Sequence, residues 1–157
     1  TMYKITKNGK TIVGNNEDWI SLNSQFWFEP ATNHRFGVMY MGLLNNFAQG
    51  GINEAGLVFD GFANPELAVH NTKGKADIYI GTAIKHIMQG MQTVKEVKTY
   101  LSTVNLSALS SSQIVFVDKT GAYLIVEGDE LILGREKEKA FSNFYYSQIS
   151  SEKEVTL

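Results

Sequence analysis

The side chains able to take part in acyl or proton chemistry gather in three places: Asn15-Asn16-Glu17-Asp18, Gln49-Gly50-Gly51-Ile52-Asn53-Glu54, and the neighbourhood of Asn143. Asn and Asp hydrogen-bond their own backbone in turns, so turn-making is one reading of these runs. The other is catalytic: an Asn amide donates N–H bonds to an oxyanion while an Asp orients a nucleophile. Periodicity does not choose between them. Other chemistries are poorly supplied. His34, His70 and His86 are widely spaced, and none stands at a metal-ligand interval from another ligand. There is no GxSxG elbow, which removes a serine esterase, and residues 50 to 56 lack the GxGxxG spacing of a dinucleotide loop. With zero Cys, the chain as given holds no disulfide, thiolate zinc site, iron–sulfur cluster or cysteine nucleophile. Neither a cofactor nor a metal is expected.

These groups need a scaffold. A chain of 157 residues, 43% of them apolar, is one domain's worth, and residues 1–157 are read as a single domain with no linker or repeat. Its 14 Lys+Arg against 16 Asp+Glu give a net charge of −2, which leaves no electrostatic footprint for nucleic acid. No apolar run approaches the ~20 residues of a membrane span. The first residues, Thr1-Met2-Tyr3-Lys4, do not form a signal peptide.

The chain opens as a hairpin. Met2 to Lys7 and Lys10 to Gly14 flank Asn8-Gly9, a pair suited to the two positive φ angles of a type I′ turn. Pairing Lys7 with Lys10 sets Ile5 opposite Ile12, Tyr3 opposite Gly14 and Thr1 opposite Asn16, which brings the first residue to the 15–18 run. Further strands are expected at Gln25 to Glu29, Phe36 to Leu43 and, after the polar Gly50–Gly56 stretch, Leu57 to Gly61. Ile80, Ala83, Ile84, Ile87, Met88 and Met91 recur at helical spacing, with Gly90 as terminator. Thr93 and Glu96 form a capping-box signature that starts a second helix. Gln113 to Asp118 and Ala122 to Glu127 form another hairpin around Lys119-Thr120-Gly121. Leu131 to Leu133 and Ala140 to Tyr146 close the strand list. Hairpins, two adjacent helices, then hairpins again is an α+β pattern of antiparallel sheets.

Five ordered segments, "GKTIVGNNEDW", "FAQGGINEAGLVFDGFA", "TVKEVKTYL", "IVFVDKTGAYLIVE" and "FSNF", are spread along most of the chain, from Gly9 to Phe144. In that order they resemble the choloylglycine hydrolase and penicillin-type acylase family of linear-amide hydrolases, whose relatives include acyltransferases that act on aminopenicillanate. The resemblance implies an N-terminal nucleophile hydrolase: an αββα sandwich of two antiparallel sheets between helical layers, with the nucleophile as first residue of the mature chain. A free α-amine, of unperturbed pKa ~8, is then the base tethered to its own nucleophile, and no histidine is needed.

By position, the resemblance makes Asp18 the group that orients nucleophile and amine, Asn53 the oxyanion donor, and Asn143 a second Asn near the scissile amide. Asn15 stands where bile-salt hydrolases carry Arg, which leans toward the acylase and acyltransferase side. Trp19 and Phe59 are expected to line an acyl pocket. Thr1 departs from the family, whose nucleophile is Cys, commonly followed by Thr. Thr1 therefore reads as the residue after the nucleophile, the alternative being that Thr1 itself acts. Family members also run well beyond "FSNF", so the chain reads as an N-terminal portion whose sheet edges a missing segment, or a further copy in a homo-oligomer, covers. The implied substrate is a small-molecule N-acyl amide. The alternatives are acyl transfer to a second amine, and a catalytically silent binding or structural relative.

Overall fold

A computed structural model describes residues 1–18, 23–43 and 47–149. The expected Trp19 contact lies outside the described residues. The strands are β1 (Met2–Lys7), β2 (Lys10–Asn15), β3 (Ser24–Glu29), β4 (Val38–Leu43), β5 (Phe47–Asn53), β6 (Val58–Ala63), β7 (Ala76–Asp77), β8 (Val104–Asn105), β9 (Ser112–Val117), β10 (Tyr123–Glu127), β11 (Glu130–Gly134) and β12 (Glu138–Phe141). Two helices, α1 (Ile80–Gly90) and α2 (Val94–Leu101), lie between β7 and β8.

The opening hairpin has the expected register. Lys7 faces Lys10 and Tyr3 faces Gly14, and Asn8 and Gly9 both take positive φ (53° and 72°), as a type I′ turn demands. β1 also pairs with β12, which gives a three-stranded antiparallel sheet of order β12-β1-β2. The second sheet has seven antiparallel strands in the order β11-β10-β9-β6-β5-β4-β3. β7 and β8 form a short parallel pair.

Strand alternation sorts the core into two layers. On one face of the large sheet, Tyr40, Phe59, Phe116 and Leu124 pack against Ile84, Ile87 and Met88 of α1 and Val97 and Leu101 of α2. On the other face, Phe62, Val115, Val117 and Ile125 meet Met2 and Phe141 of the small sheet. The described part is thus helices, large sheet, small sheet. The helices cover only the outer face of the large sheet among the described residues, and none is long and apolar enough to cross a membrane. The Thr93 hydroxyl accepts the Glu96 N–H and the Glu96 carboxylate accepts the Thr93 N–H, which completes the expected capping box. Asp118, after β9, accepts the first helical N–H of α2 at Val94 (3.3 Å), so the β9–β10 turn is tied to that helix start.

The same turn touches the small sheet. Lys4, 1% exposed, runs between the sheets and donates from Nζ to the Gly121 carbonyl at 2.6 Å. Gly121 is buried, holds φ +82°, and would place a Cβ 2.0 Å from Thr6 Oγ1. Only a residue without a side chain fits there.

Two strand readings need correction. Gly50 to Asn53, for which turn-making was one of two open readings, is the C-terminal half of a strand, β5, that was not expected. A Cβ at Gly51 would sit 2.7 Å from the Met39 carbonyl, so the glycines let neighbouring strands approach rather than bend the chain. Ala140 to Tyr146 is a strand only to Phe141, because the segment after it turns to bond Glu127 and Gln113 instead of a ladder.

Candidate active site

Thr1 continues the β1–β2 ladder. Its amine donates to the Asn16 carbonyl at 2.9 Å, and the Asn16 N–H donates to the Thr1 carbonyl at 2.8 Å. On its other side, Thr1 Oγ1 lies 3.5 Å from Ser142 Oγ, just past the end of β12. The neighbouring Asn143 donates from Nδ2 to the Ala63 carbonyl at 2.8 Å. Asn64, with its amide nitrogen oriented toward the Ala63 and Asn143 carbonyls (3.0 and 3.3 Å), completes this cluster. The first residue therefore sits where the ends of β2, β6 and β12 meet. Sequence reasoning brought Thr1 to Asn16 and named Asn143, but missed Ser142 and Asn64.

What holds the 142–147 segment is a buried polar pair. Gln113 and Glu127, neighbours across β9 and β10, are both 0% exposed. Gln113 donates from Nε2 to Glu127 Oε2 (2.9 Å) and to the Phe144 carbonyl (2.8 Å). The Glu127 carboxylate accepts the N–H groups of Tyr146 (3.0 Å) and Ser147 (2.5 Å). A buried carboxylate is tolerated when its lone pairs are so occupied.

Between the small sheet and β4–β6 opens a cleft of about 780 Å³. Ile12, Val13, Met39, Met41, Ile52 and Val58 give it apolar walls, and Asn15 and Asp60 supply polar groups. Asn15 donates from Nδ2 to Glu17 Oε1 at 2.7 Å, while its own Oδ1 is buried and finds no partner among the described residues. Asp60, 2% exposed, lies on the cleft face of β6. Burial pushes its carboxyl up to about 8, and the nearby Glu17 charge and carboxyl contact add to this, while the Gly61 N–H and the terminal ammonium oppose it. Asp60 was not anticipated. Its signal was available: Val58, Asp60 and Phe62 share one strand face, and a carboxylate there is a buried charge.

The other expected residues are placed as follows. Asp18 is exposed, and no hydrogen bond joins it to Thr1, Asn53 or Asn143. Asn53 is not brought to the cluster. It is 3% exposed, donates from Nδ2 to the Met88 and Met91 carbonyls (both 2.8 Å), and accepts the Leu57 N–H at 2.9 Å. Both amide hydrogens are used on the end of α1, so none is left for an oxyanion. Phe59 borders the cleft, but its ring packs on the helix side with Tyr40 and Phe116, with centroids 6.4 and 6.2 Å away. Among the described residues no three His, Asp or Glu side chains converge as a metal site would require.

Residues 3–149 match the profile of the linear amide C-N hydrolases, choloylglycine hydrolase family. Two variants of conjugated bile acid hydrolase from Clostridium perfringens share the fold, with TM-scores of 0.67 and 0.69 at 21% identity, over 92% of this chain and 54% of theirs. Penicillin V acylase from Agrobacterium tumefaciens gives a TM-score of 0.70 at 16% identity, over 94% of this chain and 54% of its own. The chain thus spans about half the length of these structures. A search of curated proteins gave no match.

Proposed function

The chain belongs to the choloylglycine hydrolase family of linear amide C-N hydrolases, and from that premise we propose that it is the N-terminal half of an N-terminal nucleophile amidohydrolase working through an acyl-enzyme. The observation that carries the reading is the position of the chain start at the junction of three strand ends, beside Asn16 and Ser142 and next to an apolar cleft bordered by Met2 and Asn15.

Strand parity supports a cysteine immediately before Thr1 as the nucleophile, with Thr1 itself the second candidate. Met2 (0% exposed) and Lys4 face the large sheet, while Thr1 and Tyr3 face away. A residue ahead of Thr1 shares the inward face of Met2. There its α-amine takes the proton from its own side chain, and the nucleophile attacks the amide carbonyl. Asn143, whose Nδ2 makes one hydrogen bond and keeps a second hydrogen free, supplies the donor to the oxyanion, and Asp18 is the group assigned to orient the amine once substrate is bound. Removing one such donor costs about 3 kcal/mol of barrier. Protonation of the leaving amine yields the acyl-enzyme, which water then resolves. Resolution by another amine gives the acyltransferase variant of the same chemistry.

The cleft walls suit an apolar acyl group. Glu17, held by Asn15 at the polar end, gives that end a negative field, which favours neutral or cationic amine halves over anionic ones. The test is to incubate the full-length protein with penicillin V and a panel of N-acyl amides and to follow the mass of the first residue. Acylation there supports the reading. A protein that binds none of the panel and acquires no acyl group is instead a silent relative.

A further inference from the structure

Asp60 lines the cleft from β6 and is 2% exposed, while Met39, Met41, Ile52 and Val58 around it give the cleft apolar walls. Its ladder neighbours are Gly50 of β5 and Val115 of β9, neither of which offers a polar side chain. Gly50 also lines the cleft, and a Cβ added there would stand 3.4 Å from Asp60 Oδ1. With no side chain at Gly50, the carboxyl is left uncovered on the β5 side. Its one hydrogen bond among the described residues comes from the Gly61 N–H to Oδ1, at 3.1 Å. A carboxyl with two oxygens accepts several hydrogens, so most of this capacity is unfilled by the protein. Asn15 repeats the pattern: its Nδ2 is committed to Glu17 at 2.7 Å, which fixes the amide's orientation and leaves Oδ1 as a buried acceptor with no donor among the described residues. The cations of the lining, Lys10 and Lys119, are exposed.

We propose that Asp60 is a specificity residue for the acyl half of the substrate: its carboxyl accepts the hydrogen of a hydroxyl carried on an otherwise apolar acyl chain. Ionised or neutral, a carboxyl accepts such a hydrogen, so the contact does not depend on its titration. A plain alkyl chain lays hydrocarbon over the unfilled oxygen and removes the water that would serve it. An ammonium on the chain supplies a donor but must shed its hydration among methionine, isoleucine and valine side chains, which costs more than desolvating a hydroxyl. The consequence for turnover rests on the hydrolase reading, whereas the contact itself does not.

The experiment compares kcat/KM of the full-length protein for N-octanoyl amides of one amine with the same amides hydroxylated, or aminated, at each successive carbon of the chain. In the wild type one hydroxyl position raises kcat/KM over the octanoyl parent by about tenfold or more, and no amino position matches it. Asp60→Leu abolishes that ratio, and Asp60→Asn, whose amide oxygen still accepts, keeps part of it. A wild type that favours no hydroxyl position overturns the proposal and needs no variant to fold. So does an amino preference, or a hydroxyl preference that Asp60→Leu leaves unchanged. Calorimetric binding of free octanoic acid against its hydroxylated forms is the second readout. Turnover of the panel without a hydroxyl preference refutes the contact alone. Tighter binding of one hydroxy acid, lost in Asp60→Leu, with no turnover of any amide supports the contact and refutes the hydrolase reading alone.

Discussion

The Tyr146 N–H donates to the buried Glu127 carboxylate at 3.0 Å, and through this bond the interior of the large sheet sets the position of the segment that carries Asn143. Glu127→Ala leaves the Tyr146 and Ser147 N–H groups without their acceptor and takes one of two acceptors from Gln113 Nε2. The expected loss in urea unfolding is about 3 kcal/mol or more. Amide chemical shifts of residues 142 to 147 move in the same variant, and unchanged shifts there would sink the positioning role.

Asn53→Ala tests a different assignment. The amide joins β5 to the end of α1 by two hydrogen bonds and accepts the Leu57 N–H in a third, so truncation destabilises by about 2 kcal/mol. Turnover well below the melting temperature stays within a few-fold of wild type. A drop of about 10²-fold in kcat without loss of stability would restore Asn53 as an oxyanion donor.

Asp18 is exposed, and Asp18→Asn leaves urea unfolding within about 0.5 kcal/mol of wild type. Acyl-enzyme formation falls in the same variant. Wild-type rates would remove Asp18 from the mechanism.

Asp60 makes stability depend on pH in a defined direction. Its carboxyl titrates higher when folded than when unfolded, so the folded state holds the proton over the interval between. The contribution is fully present below about pH 4 and is lost as pH rises through about 8. Melting temperature therefore falls across that window in the wild type, and the slope flattens in Asp60→Asn. Equal slopes would contradict the burial of a neutral acid.

Cleft volume sets acyl preference. Met39→Trp fills the wall opposite β2 and lowers kcat/KM for long acyl amides by about tenfold or more, with less effect on acetyl amides. A uniform loss across chain lengths would place the acyl group elsewhere.

Much of the scaffold was legible because local chemistry dictated it. Asn8-Gly9 fixed the hairpin register and so delivered Thr1 to Asn16, and Thr93 with Glu96 fixed the start of α2. β5 was missed because glycine marks both turns and close strand approach, and only the Met39 carbonyl beside Gly51 tells which. The bonds of Asn53 to α1 were not legible for a related reason: an amide aimed at an oxyanion and one aimed at two helix carbonyls are the same letter. The 142–147 segment reads as strand by composition, and its departure depends on Glu127, nearly twenty residues earlier and on another sheet.

Gly121 sets how closely the two leaves of the sandwich shut at the turn between β9 and β10. Any methyl there collides with Thr6, and the space regained must come from tilting the hairpin away from its neighbour. Gly121→Ala would thus act as a wedge at the spine of an opened book, spreading pages lined by Val13 and Val58 and loosening the enclosure around bound acyl chains without altering a single residue of their walls.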